Sequence, residues 1–145
     1  MVRRILWLFT IGGTLVLAGI TAGLLSADNH IRIPAITALV TLAAVILSYL
    51  GGLEGGMALR DEAGNEGTRA TALGLSNLPA LAAWGVLWLP SPQWQVGSSI
   101  ALFVGVWACD LWLARRGLIP AWFVDLRTVV TAAVCVILGV AFYLL

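Results

Sequence analysis

SYLGGLEGGMALR, residues 48–60, sets two glycine pairs around a single carboxylate at the end of an apolar run. A carboxylate near the end of a hydrophobic helix is expensive in lipid, and paired glycines weaken an isolated helix. The segment therefore makes sense as a packing and polar-contact centre inside a helical bundle. Working back from it, Ala44, Ser48, Gly52 and Gly56 recur every four positions and form a small-residue ridge of the kind that lets two helix backbones approach. Glu54 lies roughly opposite that ridge, with Leu47, Leu50, Gly51 and Ala58 on its own face and Gly55 beside it.

The rest of the chain has the composition that such a segment needs. Of its 145 residues, 61% are hydrophobic and 10% charged, and the mean hydropathy is +1.00, far outside the soluble globular range. This is the profile of an integral membrane protein forming a single domain over 1–145. A net charge of +1 argues against nucleic acid as a partner, because a duplex binder needs a dense basic surface. Cys109 and Cys135 lie in apolar runs without metal-ligand or CxxC spacing, and read as small packing residues.

Five membrane-spanning helices are expected, at about 5–26, 33–59, 70–89, 98–114 and 124–145. The first follows MVRR, as a signal peptide would, but the apolar run is longer than a usual signal core and is expected to be retained. Pro34 suits the first turn of the second helix. RDEAGNEGTR (60–69) is the strongly hydrophilic loop, and PSPQWQVG (90–97) reads as a tight uncharged turn. Pro79 interrupts the third helix, with Ser76 close enough to help satisfy the carbonyl it frees. GLIPAWFVDL (117–126) is too apolar for a free loop and reads as an interfacial segment anchored by Trp122. Trp84 and Trp107 are expected deeper, in the core.

Arginine placement gives the orientation. With the N-terminus in the cytoplasm and the C-terminus outside, Arg3, Arg4, Arg60, Arg69, Arg115, Arg116 and Arg127 are inner and Arg32 alone is outer. Counting from those flanks at ~1.5 Å per residue, Glu54 lies ~9 Å from Arg60, Asp110 ~7.5 Å from Arg115 and Asn77 ~12 Å from Arg69. Glu54, Ser76, Asn77, Asp110 and Arg127 thus form one expected polar layer, with Arg127 paired to Asp110 or Glu54. Such a layer is either a structural ion pair tying helices together or a proton or solute site.

No catalytic constellation is expected. The Gly74–Asn77 stretch faintly resembles the serine motif of an intramembrane protease, yet His30 falls on the opposite side of the membrane. HExxH and phosphate-cradling motifs are absent from the sequence, and neither metal nor cofactor is assigned.

Three stretches, ILSYLGGLEGGMALR (46–60), LGLSNLPALAAW (73–84) and DLWLARRGLIPAWFVDLRTVVTAA (110–133), resemble the transmembrane protein 69 family, a bacterial and mitochondrial domain of unknown function numbered 3429. The last block is the most specific, with Asp110, Gly117, Pro120, Trp122, Leu126, Arg127 and Thr131 in the family's order. The chain departs at Glu54 and Gly55, where the family usually carries a basic residue or His followed by Trp. The resemblance implies a small multi-helix membrane protein and supplies no activity. The expected role is a non-enzymatic, multi-pass component of the bacterial inner membrane, in contact with the bilayer and with another membrane protein or itself. The alternative is an oligomeric proton or small-solute transporter using Glu54 and Asp110.

Overall fold

The computed structural model describes residues 2–25, 28–60 and 66–145. Among them the chain forms five α-helices and no strand: α1 (Val2–Leu24), α2 (Asn29–Arg60), α3 (Glu66–Val86), α4 (Pro92–Arg115) and α5 (Ala121–Tyr143). Helices consecutive in sequence are neighbours in space, α1 closes the ring against α5, and α2 also touches α4 across the middle. The most extensive pairings are α2 with α3 and α4 with α5. Four helices are long and apolar enough to cross a membrane, while the apolar part of α3, Leu73–Val86, is shorter.

The two sides of the helices divide as a bilayer requires. Leu17, Leu39, Leu47, Leu50, Phe103, Phe123, Val134 and Leu138 fill the centre, whereas Leu8, Phe9, Leu15, Leu81, Trp88 and Val136 stay exposed on the outside. An outer surface this apolar is at home only in lipid. Three hydroxyls inside the spans are satisfied by their own helices: Thr10, Thr14 and Ser99 donate to the carbonyls of Leu6, Thr10 and Gln95 at 2.8–2.9 Å, whereas the buried Thr21 hydroxyl has no partner among the described residues.

Several boundaries differ from the sequence expectation, each for a local reason. α2 begins a turn early, because Asp28 offers its carbonyl to the amides of Ile31 and Arg32, and Pro34 therefore lies inside the helix. Of the expected 60–69 loop, residues 61–65 lie outside the described residues, as do the side chains of Arg3, Arg60 and Arg69; Glu66–Arg69 are the first turn of α3 rather than loop. The 90–97 stretch is mostly helix. Ser91 caps α4, its Oγ accepting from the amide of Trp94, and Pro92 occupies the first helical position, where a missing N–H costs nothing. Gln95 then donates to the carbonyls of Leu87 and Leu89 at 3.1 and 3.0 Å, tying the α3–α4 turn to α4.

The 117–126 stretch is likewise more helical than expected, since α5 begins at Ala121 rather than 124. Gly117, with φ +73°, donates to Ala114 while Leu118 donates to Leu113, a Schellman ending that stops α4 and requires the left-handed conformation glycine tolerates. Pro120 starts α5 directly afterwards. Phe123 and Leu126 are fully buried, and Trp122 is half-buried, edge-to-face with Phe123.

Of the Ala44–Ser48–Gly52–Gly56 ridge, Ala44 is half-buried against the core, and Ser48, Gly52 and Gly56 are not core: they turn outward, and a Cβ on either glycine would meet nothing within 4 Å. The α2–α3 contact is made by Gly51 and Gly55. A Cβ on Gly51 would overlap the Ser76 carbonyl oxygen, and one on Gly55 would lie 2.8 Å from the Ser76 Oγ. Trp84 is not core either; it is 61% exposed and meets Trp88 edge-to-face. Trp107 is half-buried and donates to Thr128 Oγ1 at 2.9 Å, linking α4 to α5.

Candidate functional site

The polar centre is built from three helices. Asp110 comes from the last two turns of α4, Arg127 from the second turn of α5 and Glu54 from the C-terminal part of α2. The tight Gly117–Pro120 connection folds α5 back along α4, so Arg127 meets Asp110, and its Nε donates to Asp110 Oδ2. Asp110 is 0% exposed, Arg127 1% and Glu54 5%. The Glu54 carboxyl lies beside that of Asp110, near enough to interact with it and with the Arg127 charge.

Charge balance governs what this arrangement can hold. Two carboxyl groups can hydrogen-bond only with a proton between them. With one proton the pair carries a single negative charge, which Arg127 neutralises. That keeps the cluster electrically neutral where solvation is weakest. Counted without that proton, Glu54 Oε1, Asp110 Oδ1 and both terminal nitrogens of Arg127 are buried and have no hydrogen-bond partner. The centre therefore retains unused donors and acceptors, which buried polar groups rarely do.

Of the other residues expected in the layer, Ser76 is buried but turned to the helix interface: its Oγ donates to Leu73 O at 2.8 Å and sits against Gly55. Asn77 turns away from the centre. It is exposed, with its amide also donating to Leu73 O. Both side chains thus serve the carbonyl of Leu73 rather than the Leu75 carbonyl that Pro79 frees.

A crevice of about 260 Å³ reaches the two acids from outside the bundle. α3 supplies Leu78, Pro79 and Ala82, α4 supplies Ala101, Gly105 and Cys109, and Glu54 and Asp110 also line it. Leu78, Ala82, Ala101, Gly105 and Cys109 are exposed while the acids are buried, so the walls run from the outer surface inward to the carboxyls. Sequence reading missed this feature. Its signal was Ala101, Gly105 and Cys109, small residues at every fourth position leading up to Asp110.

Fold, outer surface and buried charge centre together define a small all-helical, multi-pass membrane protein. Within that class, the chain belongs to the DUF3429 family of proteins of unknown function, whose family model matches residues 2–143. No curated protein and no solved structure matches the chain.

Proposed function

We propose that this protein is a non-enzymatic component of the bacterial inner membrane that acts through helix packing, docking onto another membrane protein or onto a second copy of itself. The observation carrying this reading is the outward ridge of α2. Ala44, Ser48, Gly52 and Gly56 offer a surface with open space over both glycines, and in lipid such surfaces let helices approach closely enough for van der Waals packing to hold them. The ridge continues into a shallow groove lined by Thr41, Tyr49, Ala80 and Trp84. The interior supports the same view, since Arg127 has its ion-pair partner, Asp110, within the chain. Orientation follows the arginines, with the N-terminus cytoplasmic, the C-terminus outside and α3 as the fifth crossing.

The test is a mild-detergent pull-down of the tagged full-length chain from its native membrane, with the mass of the intact complex recorded. Stoichiometric foreign subunits, or a defined homo-oligomer, lost on Gly52→Leu, are expected. A monomer for both chains overturns the packing role.

A second reading, an oligomeric pathway for protons or a small solute, is favoured by one feature, the unpaired buried oxygens of Glu54 and Asp110 beside the crevice. Proton flux in liposomes that falls with Glu54→Gln and Asp110→Asn would support it.

A further inference from the structure

The α3–α4 crevice has a definite chemical polarity. Its walls are aliphatic, its mouth lies among residues exposed on the lipid-facing side of the bundle, and its inner lining carries two carboxyl groups. The titratable and charged groups facing it or packed behind it are Glu54 from α2, Cys109 and Asp110 from α4, and Arg127 from α5; α3 contributes Leu75, Leu78, Pro79 and Ala82. Arg127 stands behind Asp110 and is not part of the lining, so an incoming molecule meets the acids first.

The atoms left over select the ligand. Glu54 Oε1 and Asp110 Oδ1, both on side chains more than nine-tenths buried, have no hydrogen-bond partner, and an ionised carboxylate oxygen is an acceptor only. A phosphate or carboxylate head group would add further acceptors to a lining already rich in them, and would bring negative charge to a neutral centre. An alcohol could donate one hydrogen bond but would leave the second acid uncompensated if both were ionised. An ammonium group supplies three donors and, in place of the shared proton, the positive charge that lets both acids ionise.

We infer that the crevice is a binding site for a lipophilic ammonium ion, its alkyl chain along Leu78, Ala82 and Ala101 and its head group between Glu54 and Asp110. The cavity, about 260 Å³, falls just below the roughly 300–1,000 Å³ typical of ligand sites and suits a single-chain amine. The charge balance fixes the exchange. The amine arrives already protonated, the proton held between the two carboxyls leaves to solvent, and the centre keeps its net charge with Arg127 still on Asp110. Binding one ammonium ion thus releases one proton.

The test uses the full-length chain in dodecyl maltoside, titrated with decylammonium and, separately, with decanol as the uncharged counterpart. Calorimetry in two buffers of different ionisation enthalpy reads both affinity and protons released. Saturable binding of decylammonium with about one proton released is expected, and decanol should bind about tenfold more weakly or worse. Glu54→Gln should lose the proton release and about tenfold in affinity. Gly105→Leu, which fills the crevice where an added side chain meets nothing, should abolish binding while leaving the acids in place. Modification of Cys109 by N-ethylmaleimide in a Cys135→Ala background places the ligand, and decylammonium should slow it. Equal binding of decylammonium and decanol would reduce the crevice to an acyl-chain groove and overturn the inference. So would decylammonium binding that survives Gly105→Leu, or no saturable binding by a chain that melts cooperatively. None of these outcomes depends on whether α2 docks a partner.

Discussion

Two glycine pairs one residue apart on α2 have opposite fates. Gly51 and Gly55 are buried against Ser76, so closely that a methyl group on Gly51 would run into the α3 backbone; Gly52 and Gly56, about 100° around the helix, look out onto open space. The inward face also carries Leu47, Leu50 and Glu54, and the outward face Ser48, with Ala44 half-buried at its end. Small residues therefore do two different jobs on one helix. Inside, they let α2 and α3 approach until the Ser76 carbonyl oxygen occupies the space a Cβ on Gly51 would need. Outside, they leave a smooth surface whose use depends on what else is in the membrane.

The strongest way to break this contrast is to remove the charge that the inward side faces. Asp110→Ala leaves Arg127 buried without its partner, and a loss of about 3–5 kcal/mol is expected in thermal or denaturant unfolding in detergent. In the same cycle, Arg127→Ala should add much less to Asp110→Ala than it costs alone, and full additivity would argue against the pairing. Next in size is Gly51→Ala, where even one methyl forces α2 and α3 apart; overpacking of this kind costs about 1–3 kcal/mol, read as a lowered melting temperature.

Glu54→Gln should be milder. The amide can donate to Asp110 where a shared proton did so before, and leaves Arg127 and Asp110 to neutralise each other, so about 1 kcal/mol or less is expected. A much larger loss would mean that Glu54 is held as a carboxylate by Arg127 itself. The smallest effect belongs to the outward face: Gly52→Leu should change stability by no more than about 0.5 kcal/mol while removing any partner bound there. If Gly52→Leu melts as low as Gly51→Ala, the two faces are not different in the way described.

Much of this architecture is written in the chain itself. The lengths of the apolar runs and the placing of charges between them give the number of helices and the membrane class, because hydropathy is additive along a segment and does not depend on its neighbours. Counting 1.5 Å per residue from the arginine flanks brought Asp110 and Arg127 to one depth before any fold was in view. Cap chemistry was legible too, but only in part: Ser91–Pro92 and Gly117–Pro120 carry the standard helix signals, and were masked by the apolar or turn-like character of their surroundings.

What depth counting does not contain is rotation about each helix axis. Helix α2 is apolar nearly all the way round, so its composition does not say which side is inward. Packing decided that Gly51 and Gly55, not Gly52 and Gly56, meet α3, and that Asn77 turns away from the centre while Ser76 turns in. Packing also decided that Asp110 takes the arginine and Glu54 is left facing a crevice. The sequence determined which groups share a layer of the membrane; the tertiary structure chose partners within it, because partner choice depends on how side-chain volumes on five helices fit together at once.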